Sequence, residues 1–577
     1  MTRLPVIVGF GGYNAAGRSS FHHGFRRMVL DSLPVQEQQE TLLGLATLMK
    51  LVSFNGSEYV DKEGNTYATE EVVAHFRDAI LEGTLVRRFG HANQPDYTDA
   101  WYEKISVKSA GQLPEGFEPG EYYRSQFHPK GLQMTILAAS DAVKSIGIPW
   151  QQILDHIDPD QVAVYAGSSM SQMDDHGFRG LMQSRLGGQR ISTKQLALGL
   201  SSMPADFINA YVLGSVGSTG STTGACATFL YNLRQGVEDI QSGRRRVVVL
   251  GNSEAPLTPE IIDGYAAMGA LATDANLRKL TPEGEPDYRR ASRPFGENCG
   301  FTLAESAQYV VLMDDELAVS LGACIHGAVT DVFINADGFK RSISAPGAGN
   351  YITLAKAVAS ARSLLGEESI RERSWILAHG SSTPQNRVTE STLMDRVAQA
   401  FGIERWPVSA IKSYVGHPLA PASGDQLMAS LGAFKYGILP GIKTIDRVAE
   451  DVVSTRLQIP TSDQKTSTMD VAFINTKGFG GNNASAVVVS PTVVEAMLEK
   501  RYGKRAMLAY RDKKDATQLA AIEYDAQAIQ GQLNPIYQFG VGLIDEEALN
   551  VSSEEMLIPG FSQSIKLRME NKYADMV

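Results

Sequence analysis

The chain has 577 residues, 43% hydrophobic and 20% charged, with 64 acidic against 53 basic side chains and a net charge of −11. That balance describes an ordinary globular chain and argues against a nucleic-acid partner, which calls for a basic face. No run approaches the roughly 18 consecutive apolar residues of a membrane span, and three cysteines make no disulfide framework, so a soluble protein of the reducing cytoplasm is expected.

The first predicted element is the strand in PVIVGFGGYNAAG, which starts at Pro5 and ends in a glycine turn. Its apolar run, Val6 to Phe10, is too short for a secretory signal, and Asn14 stands where a dinucleotide fingerprint needs its third glycine. Residues 25 to about 125 are polar and irregular, with Pro95, Pro114 and Pro119, and read as an inserted, partly helical layer. Helical spacing returns at LQMTILAASDAVKSIG (132–147), a strand follows at VAVYAGSS (162–169), and a helix from Pro204 to Leu213 stops at Gly214. A Gly/Ser/Thr-rich segment then leads into STTGACATFL (221–230). Phe229, Leu230, Leu233, Val237 and Ile240 recur beyond it at three- and four-residue intervals, so Cys226 heads an amphipathic helix. After a solvated turn at Arg244–Arg246 comes the strand VVVLGN (247–252).

A second series repeats the logic: WILAHG (375–380), VSAIKS (408–413) and VAFINTKGFGG (471–481) each begin as an apolar strand and end in a polar or glycine loop. This is α/β organisation, in which ligands gather at the carboxyl ends of strands. Two such series predict a duplicated architecture, although no clear sequence repeat accompanies it. From 491 to 577 the chain turns charged and less periodic, as an extension packed on the core would.

Four segments could carry chemistry: TGACAT around Cys226, AHGSSTPQN (378–386) with His379, IKSYVGHPLAPASG (411–424) with Lys412 and His417, and NTKGFGGNN (475–483). Singly each has a bland reading as a buried cysteine, a hydrogen-bonded histidine, a surface lysine or a plain turn. Together, in order and at strand ends, they resemble the β-ketoacyl-acyl carrier protein synthases of the thiolase superfamily, of the Cys-His-His kind. TGACAT is similar to that family's nucleophile motif, HGSSTP to its first histidine motif, KSYVGH to its Lys-x4-His motif and GFGGNN to its glycine-rich turn. ASRPF (291–295) and GFTLAES (300–306) match a further stretch. The long N-terminal segment and tail resemble the longer bacterial synthases of the Pseudomonas type.

The resemblance implies an α/β, thiolase-like duplicated αβαβα layered fold, with a ketosynthase domain over 1–490, the insertion at about 25–125 and the extension at 491–577. It implies a decarboxylative Claisen condensation of an acyl primer, acetyl-CoA in the first instance, with malonyl-acyl carrier protein in fatty acid synthesis. An elongating synthase using longer carrier-bound primers and a non-catalytic partner subunit are the alternatives. Cys226 would be the nucleophile, its pKa lowered by the helix start. His379 and His417 would donate N–H bonds to the malonyl thioester oxygen. The backbone N–H groups of Cys226 and Phe479 would form the acyl oxyanion hole, with Phe479 gating the acyl pocket and Phe301 walling the malonyl carboxylate. Lys412 would pair with Glu390, and the hydroxyls of Ser381 and Thr383 would hold the phosphopantetheine arm. No bound cofactor and no metal is called for; acyl carrier protein, acyl-CoA and a second copy of the chain, as a homodimer, are the expected partners. Since carrier proteins are acidic, a local basic patch is expected near the pocket mouth. Asp174, Asp175 and His176 read as a polar loop, and Cys299 and Cys324 as structural.

The chain departs from the family at Ser381 in place of threonine, Asn386 and Arg387 in place of Gly-Asp, LAES around Glu305, and Pro421. Rival chemistries fit less well. A degradative thiolase would place a second cysteine near Phe479–Asn483, a Cys-His-Asn enzyme would lack His417, and a cysteine hydrolase has no use for the second histidine or the lysine.

Overall fold

The computed structural model describes residues 2–90, 105–281, 284–342, 345–466 and 468–577; the part of the insertion around Pro95 lies outside them. The core is one large mixed sheet built from two halves of the same topology. The first half contains β1 (Pro5–Asn14), β2 (Val162–Gly167), β3 (Ser218–Gly220), β4 (Val247–Glu254) and β5 (Ser306–Asp314), in the spatial order β1-β5-β4-β2-β3. The second contains β6 (Gly327–Ala336), β7 (Ser374–Leu377), β8 (Trp406–Ser409), β9 (Leu457–Gln458), β10 (Val471–Gly478) and β11 (Asn482–Val489), in the order β6-β11-β10-β7-β8-β9.

The five strands of the first half match the first five of the second position by position, and β9 extends the second half alone. In each half the first two pairings are antiparallel and the next two parallel. The halves join where Val6 of β1 meets Ala328 of β6. The helices Thr228–Gln241 and Ala422–Tyr436 touch each other and strands of the sheet, and form the middle layer. Lys130–Lys144 covers β1 and β5 on one outside, and Gly349–Leu365 covers β6 and β11 on the other. The duplicated, layered α/β fold expected from the two series of strand-end motifs is therefore present.

Near-complete burial explains why these strands read as apolar runs: every residue of β1, β2, β4 and β5 is buried. Between residues 25 and 125 the described chain forms the helices Val35–Leu48 and Thr69–Glu82 and short strand pairs. The tail departs from the sequence reading. Pro491–Ile529 is a helix of 39 residues, capped by the Ser490 hydroxyl and interrupted at Gly503, whose φ is 81°. No described helix is long and apolar enough to cross a membrane.

Candidate active site

Cys226 lies two residues before the helix Thr228–Gln241, on a turn whose preceding residue, Ala225, has φ 50°. That left-handed conformation is unfavourable for a side-chain-bearing residue and occurs where surrounding structure enforces it. β10 enforces it here. A Cβ on Gly478 would lie 2.2 Å from the Gly224 carbonyl oxygen and 3.1 Å from the Cys226 nitrogen, so only glycine lets the strand end approach the turn. The backbone N–H groups of Cys226 and Phe479 lie close enough to the thiol to favour its ionised form. These are the two donors that the resemblance assigns to the acyl oxyanion hole.

His379 lies two residues beyond the end of β7. Its backbone N–H donates to Glu390 Oε1 at 2.6 Å, the Gly380 N–H donates to Oε2 at 2.8 Å, and Asn475 Nδ2 donates to Oε1 at 2.9 Å. Lys412 Nζ donates to the His379 carbonyl and lies 3.4 Å from His379 Nδ1. The expected Lys412–Glu390 ion pair is thus corrected. Both carboxylate oxygens are engaged by N–H donors, and the ammonium instead holds the histidine from its other side.

His417 is fixed by its backbone, its N–H donating to Thr302 O at 2.7 Å and its carbonyl accepting from Ala304 N at 3.2 Å. GFTLAES is therefore the stretch that holds the second histidine. The two imidazoles stand 5.4 Å apart, nearly perpendicular, and Phe301 sits edge-on to His417 at 5.1 Å.

The tautomers follow from the partners. Lysine ammonium has no acceptor, so Nδ1 of His379 accepts; Leu419 N–H donates to Nδ1 of His417 at 3.3 Å, so it accepts too. Burial and the Lys412 charge hold both imidazoles well below their ordinary pKa, hence neutral. Each carries its proton on Nε2, the arrangement two donors to one developing oxyanion require.

The thiol differs from expectation. Burial pushes Cys226 up to about 11; Lys412 and the two backbone N–H groups oppose this, and Glu254 adds to it. A helix start lowers a thiol's pKa when the sulfur is solvated, but this sulfur, on a residue 5% exposed, is not. Burial also lowers Lys412, to about 8.

A cavity of about 450 Å³ gathers Cys226, His379, His417, Phe301, Phe479, Ser381 and Thr383. Ser381 Oγ and Thr383 Oγ1 are 3.1 Å apart, and Thr383 also caps the helix Pro384–Phe401. Lys412 and Glu390 stand behind this floor without lining it. Asn386 accepts from Ser381 N at 3.0 Å, and Arg387 forms a two-pronged ion pair with Asp451 at 2.8 and 2.9 Å, so the two departures after the histidine motif brace the local turn. Glu305 takes Lys130 at 2.7 Å. The basic side chains on the cavity wall are Lys340 and Lys477, around Asp337.

Sequence reasoning passed over Thr476, whose hydroxyl lies 3.3 Å from both Cys226 O and His379 Nδ1. The signal was strand alternation: Thr476 points oppositely to Asn475 on β10, and so toward the Cys226 backbone and His379. It also passed over Glu254, which accepts four hydrogen bonds from Ser168, Ser169 and Met170 behind the nucleophile.

A buried thiol, two neutral imidazoles and paired backbone N–H groups at the strand ends of a duplicated fold define a condensing-enzyme site. Comparison with known proteins agrees. The β-ketoacyl synthase N-terminal domain matches residues 91–318 and the β-ketoacyl synthase C-terminal domain residues 326–446. The β-ketoacyl-[acyl-carrier-protein] synthase FabY of Pseudomonas aeruginosa is 56% identical over an alignment of 637 positions that covers 100% of both chains. The crystal structure of that noncanonical ketosynthase superposes with a TM-score of 0.96 over 100% of this chain and 99% of the other. A Burkholderia phymatum β-ketoacyl synthase, 21% identical over 85% of this chain and 100% of its own, shares the fold at a TM-score of 0.60. The chain belongs to the β-ketoacyl synthase family and is an acyltransferase-class enzyme.

Proposed function

We propose that the protein condenses an acyl primer, acetyl-CoA, with malonyl-acyl carrier protein, losing CO₂ to give a β-ketoacyl-acyl carrier protein in fatty acid synthesis. The observation that carries this is the convergence on one cavity of Cys226, the Gly478–Phe479 turn beside it, and two imidazoles whose free nitrogens are Nε2–H. Cys226 takes the acyl group from its thioester, the C–S bond to CoA breaking and CoA leaving as the free thiol with the Cys226 proton, and the Cys226 and Phe479 N–H groups stabilise the oxyanion. Nε2–H of His379 and His417 then stabilise the enolate that forms as CO₂ leaves, in an environment kept dry by Phe301. The attack of that enolate on the Cys226 thioester forms the new C–C bond and returns the thiol.

The primer assignment rests on the packing around Cys226, which sits in an apolar cluster with Leu257, Ile262, Leu271 and Leu419. Close packing of these side chains around a residue 5% exposed supports a short primer. A condensation assay tests both points, offering malonyl-acyl carrier protein with acetyl-CoA or a medium-chain carrier thioester, and Cys226→Ala as control. Product from acetyl-CoA alone is expected. Product mainly from the longer thioester would make the enzyme an elongating one, and no Cys226-dependent product would remove the catalytic reading.

The chain works as a homodimer in the cytoplasm. Among the described residues β3 pairs only with β2 and ends the sheet, and Met182, Leu186, Leu196 and Leu200 are exposed earlier in the chain. Light scattering at the assay concentration is expected to give twice the chain mass of 62.5 kDa.

A further inference from the structure

Two stretches of the chain combine exposed apolar side chains with opposite charge. The first is the segment 178–200, between β2 and β3. It holds Arg179, Arg185, Arg190 and Lys194 and no acidic residue. Arg179 is paired with Asp175 and Glu260, and Lys194 lies over the Phe127 ring, but Arg185 and Arg190 have no ion pair among the described residues. Met182, Leu186, Leu196 and Leu200 of this segment face solvent, Leu186 at 81%.

The second is the tail beyond Tyr537. Residues 545–555 hold Asp545, Glu546, Glu547, Glu554 and Glu555 and no basic residue. Glu554 takes Arg568 and Glu555 takes Lys566, whereas Glu546 and Glu547 have no ion pair among the described residues. Phe539, Val541 and Leu543 are exposed, Leu543 at 83%. The small sheet formed by Asn550–Val551, Glu555–Leu557 and Ile565–Lys566 buries none of its residues. Uncovered apolar side chains beside short open strands mark the face of an interface. The start of the tail fixes where that face lies: the Gln538 N–H donates to Tyr211 O at 2.9 Å, and the Tyr537 ring stands 5.3 Å from that of Tyr211. Tyr211 falls in the chain between the basic segment and β3, the strand that ends the sheet.

We propose that residues 539–557 form an arm that crosses to a second copy of the chain and packs on its segment 178–200, with Glu546 and Glu547 against Arg185 and Arg190 of the partner subunit. This rests on the homodimer of the proposed function and deepens it. The occupant is a second copy because the two stretches complement each other in charge and share apolar character. The arm also starts, and the basic segment ends, beside the residues that lead into β3, where the contact between copies falls. Within one chain both stretches stay exposed, so the contact is not made there. A twofold axis makes the exchange reciprocal, and each dimer buries both arms.

The test is the choice of partner, read by native mass spectrometry on two co-expressed chains, one of them carrying a mass tag. One chain has Glu546→Lys and Glu547→Lys, the other Arg185→Glu and Arg190→Glu. All four side chains are exposed, so the substitutions leave folding intact. Each homodimer then sets like charges together, while the heterodimer matches both of its arms. With each mismatched homodimer weakened about 10-fold, heterodimers should reach about nine-tenths of the dimers, against about half for tagged and untagged wild type. A control pair makes the same changes in net charge but spares the arm, with Glu58→Lys and Glu63→Lys in one chain and Arg185→Glu and Arg190→Glu in the other; it should stay at about half. Heterodimers at about half for the arm pair, or equal enrichment in the control pair, would overturn the proposal. A monomeric wild-type protein would instead remove the homodimer reading itself.

Discussion

Two buried networks in this molecule are built from similar groups, and a carboxylate of one keeps the charge that the lysine and thiol of the other lose. At the seam between the core and the helix Pro491–Ile529, Arg18 contacts Asp525 and stands 3.6 Å from Asp141. His23 Nε2 is 2.8 Å from Asp525, and Tyr524 OH donates to Asp141 at 2.8 Å. Burial disfavours the Asp525 charge, but Arg18 and His23 outweigh it and hold the carboxyl well below its usual range. At the active site Lys412 and Cys226 are as deeply buried, yet no carboxylate lies within ion-pair distance of Lys412 among the described residues. Burial wins there, and lysine and thiol are each pushed toward neutrality. A carboxylate in direct contact turns burial into structure, whereas Glu390 and Asp425, which act on Lys412 only from a distance, leave it a group whose protonation a substrate can change.

The largest effects should separate the half-reactions within the site. Cys226→Ala is expected to abolish acyl transfer while malonyl thioester still loses CO₂, because the two Nε2–H donors remain. His417→Ala should do the reverse, lowering decarboxylation by about 10²–10³-fold with Cys226 still acylated. Measuring CO₂ release and intact mass on the same samples decides the matter; if either variant loses both steps together, the division of labour is wrong.

At the seam, Asp525→Ala leaves Arg18 buried with only the more distant Asp141. Denaturant melts should show a loss of about 3–5 kcal/mol, with Cys226 acylation by the folded protein retained. Glu390→Gln falls between the two regions. Its amide would confront an N–H that now donates, costing about 1–3 kcal/mol and slowing decarboxylation more than acylation, since it is the His379 backbone that loses its anchor. A larger effect on acylation would mean that Glu390 serves the thiol instead.

The sequence made the duplicated sheet legible because its strands are buried on both faces and read as apolar runs closed by glycine or polar loops. Cys226, His379 and His417 were legible because each falls in a motif-bearing turn beyond a strand, His417 after the further short helix Lys412–Val415, and the structure brings them to one cavity. The Lys412–Glu390 pair was not. Eleven positions of separation put Glu390 on the helix after His379, but only the fold shows that its oxygens face the turn's N–H groups. The tail helix hid for another reason. Its buried residues, Val494, Leu498, Met507, Tyr510, Thr517, Ala521 and Ala528, are sparse, and the Gly503 break shifts their phase, so no single helical period runs through them. The thiol's pKa was misjudged because the helix start was visible in the sequence and the burial was not.

The smallest effect is also the most direct probe of that last point. Lys412, at about 8, is cationic below pH 8; in that form it favours the thiolate and, by donating to Nδ1, keeps the His379 proton on Nε2. Raising the pH through 8 removes that cation, so condensation should decline on the alkaline side. The Cys226 thiolate, on the order of one part in a thousand at pH 8 for a pKa near 11, continues to grow. Iodoacetamide labelling of Cys226 should therefore climb from pH 8 to 10 without a plateau while condensation falls, two opposed slopes from one site. Lys412→Arg, whose charge persists, should flatten the decline in condensation and leave the labelling slope. A labelling plateau reached below pH 8 would mean that the helix start prevails over burial, and that the site stores a thiolate after all.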